Sequence, residues 1–286
     1  MKMHSEQSSI YQEVISVTRQ GLDLHEGDIG VLARALDIDT DTLREEINRR
    51  PRYLEDVLRR PEVVETVLHA TGVEQFTVSP RLYFAVLIHR AADELWSSDW
   101  VEEWAGPGCR LPVFDVEPLV EFADAPARLQ FTAQLLTSFA VPEAAPVPAD
   151  RLDLDELVDW LGAVEPVDHI VLLRQLGDLA LFRAGVFPDS IGAKALSSAQ
   201  AEHLGRSVRM TDDELNHLVD HGSPTPGLDA LETLSSAWYR AAAESSPGTP
   251  VVLRDIACRI RAARRFLNYA ADHYLHRTQH RWASGF

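Results

Sequence analysis

Three side chains in the segment TDDELNHLVDH, residues 211–221, have the types and the spacing of a metal site. On a helix, Glu214, His217 and His221 share one face at steps of three and four residues. Carboxylate oxygens and imidazole nitrogens bind zinc and iron, and Glu-x-x-His pairs occur in di-iron helical bundles. The spacing therefore makes these three residues candidate ligands for zinc, iron or a haem iron.

The same residues also have a structural explanation, which the sequence favours. Thr211 and Glu214 fit a capping box, in which each side chain satisfies a free backbone N–H of the other residue. His221 precedes Gly222, and an imidazolium in the last turn interacts favourably with the carbonyl end of a helix. Only His217 is left without a structural role, so we expect no cofactor here and keep the metal site as the alternative.

A second group of histidines lies near the C-terminus. His273, His276 and His280 recur at helical spacing, but they point to the flank or the solvent side relative to the apolar position Tyr274. A solvated polar face is the favoured interpretation. In the alternative, His273 or His276 joins the histidines of residues 211–221 in one metal-dependent site.

Aromatic residues follow the most apolar helix of the N-terminal half. Trp96, Trp100 and Trp104 recur every four residues, a pattern that is typical of a core or an interface. Trp96 and Trp100 are nevertheless the candidate ligand-binding residues, because they could line an apolar pocket between helices. One turn before them, His89 and Asp93 are expected to form a buried pair.

The C-terminal segment 251–286 is basic, although the whole chain carries a net charge of −17. It contains seven arginines and only two aspartates. Five of the arginines are expected to pair with acidic helices of the same chain: Arg254, Arg259, Arg261, Arg264 and Arg265. The alternative is that they bind an anionic ligand or an acidic partner surface.

Residues 28–47 have the pattern of a helix-turn-helix with the wrong charges for DNA. Asp37 occupies the turn position that usually prefers glycine. The second helix carries Asp41, Glu45 and Glu46 against a single basic residue, Arg44. Acidic side chains repel the phosphate backbone, so the pattern predicts a helical hairpin without a nucleic-acid role.

Several classes of protein leave no motif in this sequence. It contains no phosphate-binding loop, no dinucleotide-binding glycine motif, no nucleophile elbow and no His-Glu-x-x-His. No apolar run reaches the length of a transmembrane helix, and no secretory signal is recognisable. The two distant cysteines, Cys109 and Cys258, fit a reducing compartment. These features predict a cytoplasmic protein with neither a membrane nor a nucleic acid as its partner.

The elements that position these residues are predicted to be helices nearly throughout, in an all-α multi-helix bundle. Capping boxes or a proline at the first helical position mark five helix starts: Ser9, Pro80, Ser197, Thr211 and Pro250. The buried helices are expected at 80–96, 167–186 and 251–275. The last is one apolar seam about six turns long.

The domain boundary is predicted in the stretch FAVPEAAPVPAD. Its three prolines and several alanines favour a stiff linker or a surface loop. We therefore expect an N-terminal helical unit over 1–138, a linker over 139–150 and a C-terminal helical unit over 151–286. The pattern leaves open whether the two units pack as one body.

Two stretches, SPRLYFAVLIHR at 79–90 and GDLALFRAGVFPDSIG at 177–192, are similar to those of a family of helical bacterial proteins without known activity. With the segment 239–274, the resemblance covers most of the chain. It implies a single helical architecture but no catalytic residue, cofactor or partner. Physically, Gly177 and Gly185 are expected to permit close helix packing.

The missing catalytic motifs favour a non-enzymatic protein that acts through helical surfaces as a regulator, adaptor or assembly factor. Such a protein needs a protein partner and an exposed apolar patch. A metal- or haem-dependent helical enzyme using His217 and His221 is the first alternative. A binder of apolar small molecules, lined by Trp96 or Trp100, is the second.

Overall fold

The structure is a computed structural model that describes residues 24–50, 52–69, 77–106, 108–140, 166–191, 197–206, 208, 210–219, 225–245 and 251–276. Within these residues the chain forms thirteen α-helices and one two-stranded sheet. The predicted all-α multi-helix fold is confirmed, with a β-hairpin that was not predicted. The chain forms two compact units, Met1–Arg90 and Ala91–Phe286.

The first unit contains four complete helices and most of a fifth. They are α1 (Glu26–Ala35), α2 (Thr40–Arg49), α3 (Tyr53–Leu58), α4 (Pro61–Leu68) and α5 (Pro80–Leu95). The helical hairpin predicted over 28–47 is confirmed as α1 and α2. Asp37 lies in the turn between them with a φ of 54°, the left-handed conformation that glycine adopts most easily.

A buried carboxylate joins the start of α1 to the start of α5. Asp28 is 1% exposed, and its Oδ2 accepts hydrogen bonds from Ser79 Oγ at 2.9 Å and from the His25 N–H at 3.2 Å. Ser79 Oγ in turn accepts from the Leu82 N–H at 3.1 Å, so Ser79 caps α5 and Pro80 is its first residue, as predicted. The carboxylate thus fixes two helix ends that are far apart in sequence.

The second unit contains the end of α5 and then a hairpin of two antiparallel strands, β1 (Val101–Gly106) and β2 (Cys109–Val113). Eight helices follow: α6 (Glu117–Ala123), α7 (Pro126–Ala140), α8 (Pro166–Val186), α9 (Ser198–Arg206), α10 (Asp212–Leu218), α11 (Pro226–Ser245), α12 (Val251–Cys258) and α13 (Ile260–Ala270). A 3₁₀ turn spans Pro188–Ser190, and a π-helical turn spans Ala271–Leu275.

The division into units differs from the predicted boundary at 139–150. Helix α7 precedes that stretch, yet it packs against α8 and α12, which follow it. Arg128 on α7 also pairs with Asp255 on α12 through Nε, at 2.6 Å. Residues on both sides of the proline-rich stretch therefore belong to one compact unit, while residues 141–150 lie outside the described part of the chain.

Helices α8 and α11 cross closely because glycine stands where they meet. A Cβ on Gly177 would lie 2.7 Å from the Tyr239 ring, and the Tyr239 hydroxyl is held by Asp178 Oδ1 at 2.8 Å. Ser235 Oγ also donates to the Gly177 carbonyl at 2.9 Å. A Cβ on Gly185 would lie 2.6 Å from Leu267 Cβ. The predicted role of both glycines in close packing is confirmed.

The last predicted helix, 251–275, is interrupted at Arg259. This residue has φ −120° and ψ 25°, and its N–H donates to the Ile256 carbonyl at 3.0 Å. Its guanidinium lies 2.8 Å from Glu121 on α6, outside the helix. The apolar seam persists across the break, since Ile256 and Leu267 are both fully buried. None of the described helices combines the length and the apolarity that crossing a bilayer requires.

Replacing Gly177 by alanine is expected to destabilise the protein by about 1–3 kcal/mol, because the methyl group would displace a ring that is hydrogen bonded in place. Urea unfolding followed by circular dichroism measures the change. Gly30→Ala is the control, because its Cβ would meet no atom within 4 Å. The helical preference of alanine should make that variant as stable as the parent or more so by up to about 1 kcal/mol. Equal effects of the two substitutions would contradict the packing role.

The protein is also expected to become less stable as the pH decreases, because of His89 on α5. Its Nδ1 is buried without a hydrogen-bond partner, rather than held by Asp93. Burial, assisted by the charge of Arg59, lowers the pKa of His89 from 6.5 to about 4. The unfolded chain therefore takes up a proton below pH 6.5 while the folded chain does not. The contribution of His89 to the free energy of unfolding therefore keeps its full value above pH 6.5 and decreases as the pH falls towards 4.

The measurement is urea unfolding near pH 7 and near pH 5 for the parent and for His89→Gln. The parent should lose on the order of 2 kcal/mol more than the variant between the two pH values. The comparison uses the difference between the two pH values, so an intrinsic cost of the substitution cancels. An identical pH dependence in both proteins would mean that His89 does not titrate on unfolding.

Candidate functional site

The predicted metal site is only partly described. Helix α10 carries Glu214, and the predicted capping box with Thr211 is confirmed, since each residue bonds the backbone N–H of the other, at 2.8 and 3.3 Å. Glu214 also forms an ion pair with Arg240 on α11. Burial alone would raise the pKa of Glu214, but the Thr211 N–H and Arg240 outweigh it and lower that pKa. Glu214 is therefore already held by a cap and a cation.

The other two predicted ligands lie outside what the structure describes. The backbone of His217 belongs to α10, but its side chain is not among the described ones, and His221 lies outside the described residues. Within the described part, no group of three or more histidine, cysteine or carboxylate side chains is arranged to hold a metal ion. The hypothesis of zinc, iron or haem at Glu214, His217 and His221 thus stays a prediction.

The second histidine group is used in packing where it is described. His273 Nδ1 donates to the Tyr269 carbonyl at 2.9 Å, and His276 Nε2 donates to the Val186 carbonyl at 2.8 Å. Val186 is the last residue of α8, so His276 satisfies one of its free carbonyls. His280 lies outside the described residues. Both described histidines are half-buried rather than fully solvated.

The three tryptophans of the predicted stripe have different surroundings. Trp104 is 6% exposed on β1, whereas Trp96 and Trp100 are 58% and 48% exposed in the segment between α5 and β1. Their predicted role in binding a ligand stays a prediction, but neither lines the cleft described below.

Asp189 in the 3₁₀ turn connects the hairpin to the helical part of the second unit. Asp189 Oδ1 accepts from Trp104 Nε1 at 2.6 Å and from the Gly108 N–H at 3.0 Å. Arg110 on β2 lies 3.4 Å from Asp189 Oδ2. Its Nε and Nη2 also donate to the two carboxylate oxygens of Asp272, at 2.8 and 3.2 Å, in a bidentate ion pair. Burial alone would raise the pKa of Asp189, but these donors outweigh it and lower that pKa.

Exposed apolar side chains concentrate around this hairpin. Among the described residues of the second unit, six large apolar side chains are exposed, and three of them, Trp100, Leu111 and Phe114, lie on the hairpin or one residue from it. We call Trp96, Trp100, Leu111 and Phe114 the hairpin surface, whereas Phe187 packs against Phe182 and His276. Phe114 is 74% exposed directly after β2. Phe187 adjoins the turn that holds Asp189.

The hairpin surface lies in an acidic stretch of the sequence. Residues 91–117 contain seven acidic residues and one basic residue, Arg110. Four of the acidic side chains are exposed: Asp99, Glu102, Asp115 and Glu117. Since Arg110 is engaged by Asp189 and Asp272, the exposed charge of this stretch is negative.

A buried ion network joins the hairpin to α13. Glu103 on β1 lies 2.7 Å from Arg265 Nε and 3.3 Å from Arg264 Nη2. Arg264 Nε also pairs with Glu232 on α11 at 2.6 Å, and Arg265 Nη2 donates to the Asp115 carbonyl at 2.9 Å. The two arginine side chains are 5% and 8% exposed. The expected pairing inside the chain is confirmed for these two arginines and for Arg259.

Arg265 and Glu103 also line an open cleft of about 510 Å³. The cleft lies between the end of the hairpin, the start of α6 and the junction of α12 with α13. Its remaining charged residues are Asp115, Glu121, Arg259 and Arg261, and Cys258 lies at the same junction. Arg254 and Arg261 form no ion pair with a described residue, in contrast to the expectation for all five arginines.

Sequence reasoning missed both the hairpin and the cleft. Gly106 at the end of β1 and Gly108 in the turn take positive φ values of 151° and 66°. The strands themselves contain glutamate, proline and cysteine rather than alternating β-branched residues, so they lack the usual pattern. The cleft lies at the helix break at Arg259, which the continuous apolar pattern of residues 251–275 does not reveal.

Replacing Asp189 by alanine is expected to destabilise the second unit by about 1–2 kcal/mol, because it removes the acceptor for Trp104 Nε1 and Gly108. Urea unfolding followed by tryptophan fluorescence measures the loss. Asp189→Asn retains one acceptor oxygen and should cost less. Since the folded pKa lies below the usual 3.8, the stabilisation by Asp189 is present above that pH and fades only as the pH falls below it. A loss that changed between pH 7 and pH 5 would contradict this assignment.

Comparison with known proteins supplies no function that could be transferred to this chain. No family model, no curated protein and no solved structure matches it. The similarity of residues 79–90 and 177–192 to a helical bacterial family therefore stays a prediction. What the protein does has to be argued from its own surfaces.

Proposed function

We propose that the chain is a cytoplasmic, non-enzymatic interaction protein that docks a basic amphipathic segment of a protein partner on the hairpin surface. The partner presents apolar side chains to the aromatic and leucine side chains of this surface. Its lysines or arginines face the acidic residues of the same stretch. Such a protein acts as a regulator, an adaptor or an assembly factor.

The observation that carries this proposal is the concentration of exposed apolar side chains at one hairpin. Single exposed apolar residues are common on protein surfaces, whereas a group of large ones is typical of interaction sites. Trp100, Leu111 and Phe114 are each about half exposed or more. Aromatic residues are also the residue types that contribute most to binding at interfaces.

The charge of the region supports a basic partner. The exposed side chains of Asp99, Glu102 and Glu117 lie in the same stretch of sequence as these apolar residues, and no exposed cation lies between residues 91 and 117 in the described part. Charge complementarity of this kind accelerates encounter and excludes wrong partners. The same charge disfavours nucleic acid, whose phosphates would meet carboxylates.

The attachment of the hairpin supports a surface that is formed before the partner arrives. Asp189 accepts hydrogen bonds from Trp104 and from the Gly108 N–H in the turn, and Arg264 and Arg265 form ion pairs with Glu103. A fixed surface loses less conformational freedom on binding than a loop that must be ordered. A short, exposed hairpin is marginal by itself, so these fastenings determine its position.

The proposal is tested with two synthetic helical peptides that share a leucine face and differ in their polar face, arginine in one and glutamate in the other. The arginine peptide should bind, with a shift of tryptophan emission and an affinity that falls with added salt. Phe114→Ser and Leu111→Ser should each weaken binding by about tenfold, as expected when an interface loses a central apolar residue. Isothermal titration calorimetry measures the affinities.

Val251→Ser is the matched control, because Val251 is 80% exposed and lies outside the hairpin surface. It should bind the arginine peptide as the parent does. Three results would contradict the proposal: no binding of the arginine peptide, equal binding of the glutamate peptide, or an equal loss in Val251→Ser. Sedimentation velocity of the unbound protein identifies the separate case in which a second copy occupies the surface.

A further inference from the structure

The cleft at the junction of α12 and α13 is a second site, independent of the hairpin surface in its chemistry. It is lined by three arginines and three carboxylates, so its lining carries no net charge. Its volume of about 510 Å³ falls in the range of small-molecule sites. Val113, Pro118 and Ile260 contribute apolar wall between the charged side chains.

Most of these charges are already neutralised by one another. Arg259 Nη2 lies 2.8 Å from Glu121, and Arg265 Nε lies 2.7 Å from Glu103. Two opposite charges remain, because the side chains of Arg261 and Asp115 form no ion pair with any residue that the structure describes. Both are exposed to solvent on the lining of the cleft. The cleft therefore offers one cation and one anion to a ligand.

We propose that this cleft binds a zwitterion, an α-amino acid or a short peptide with a free ammonium and a free carboxylate. Arg261 binds the carboxylate, since a guanidinium presents parallel N–H donors to two oxygens. Asp115 accepts from the ammonium. The apolar wall contacts the part of the ligand between its charged ends.

A purely anionic ligand fits this lining less well. Glu103, Asp115 and Glu121 would face a phosphate or a dicarboxylate together with the arginines, and the whole chain carries a net charge of −17. A zwitterion adds no net charge to a neutral cleft in an acidic protein, so it meets no long-range repulsion.

The buried network keeps the floor of the cleft in place. Arg265 is 8% exposed and is held by Glu103 and by the Asp115 carbonyl, at 2.7 and 2.9 Å. The same contact fixes the backbone of the residue that is proposed to bind the ammonium. The ligand thus meets a wall whose position is determined from within the fold.

The two cysteines of the sequence supply the assay. Cys258 lines the cleft and is exposed, whereas Cys109 is exposed on β2 and does not line it. Maleimide labelling of each cysteine is followed by mass spectrometry with and without glycine, dialanine and trialanine. At least one of these zwitterions, at millimolar concentration, should slow the labelling of Cys258 several-fold and leave Cys109 unchanged.

Chemical blocking of either end separates a zwitterion site from other modes of binding. The N-acetyl and the C-amide derivatives of the protective compound should be at least about tenfold weaker. Arg261→Gln and Asp115→Asn should each weaken protection by about tenfold, and both side chains are exposed, so the variants should fold. Arg254→Gln is the control, because Arg254 is an exposed arginine of α12 outside the lining.

Absence of protection by all three zwitterions overturns the proposal, and so does equal protection by a blocked derivative or by inorganic phosphate. Equal weakening in Arg254→Gln does the same. These outcomes are distinct from failure at the hairpin surface, because Arg261→Gln should still bind the arginine peptide and Phe114→Ser should still protect Cys258.

Discussion

The second unit depends on Glu103, the one carboxylate that two buried arginines share. Arg264 and Arg265 are consecutive residues of α13, and both reach the same oxygen of Glu103 on β1. Arg264 Nη1 and Arg265 Nε are buried without a geometrically good hydrogen bond in the described structure, although Arg265 Nε lies 2.7 Å from Glu103, so the network leaves buried donors unsatisfied. Without Glu103, the nearly buried Arg265 would have no carboxylate partner among the described residues and Arg264 would keep only Glu232, at a cost of several kcal/mol. The hairpin is therefore a required part of the unit's core rather than an appendage.

Much of the helical architecture could be predicted because its determinants are local. The capping box of Thr211 and Glu214 and the proline at the start of α5 are written within four residues of sequence. The close packing at Gly177 and Gly185 was predictable as a type of contact, since a glycine inside an apolar helix has a cost that packing must offset. The partners, Tyr239 and Leu267, were not predictable, because they are far away in the chain.

The hairpin, the break at Arg259 and the compact units escaped prediction for the opposite reason. Each is fixed by contacts between distant residues. Arg259 leaves the helix to reach Glu121, and α7 joins the residues beyond 150 through Arg128 and Asp255. An apolar seam gives the face of a helix but not its continuity. The candidate sites could not be predicted for the same reason, since both lie where residues that are distant in sequence come into contact.

The two proposed sites share the short connection from β2 to α6. Val113 and Asp115 line the cleft, while Phe114 between them belongs to the hairpin surface. Coupling between two sites requires an element with two arrangements that each ligand prefers differently. The Arg265 guanidinium holds the Asp115 carbonyl, and the same side chain is held by Glu103, which gives the connection one well-determined arrangement. A partner at the hairpin and a zwitterion in the cleft therefore bind independently, unless binding breaks the Arg265 contact that both sites rest on.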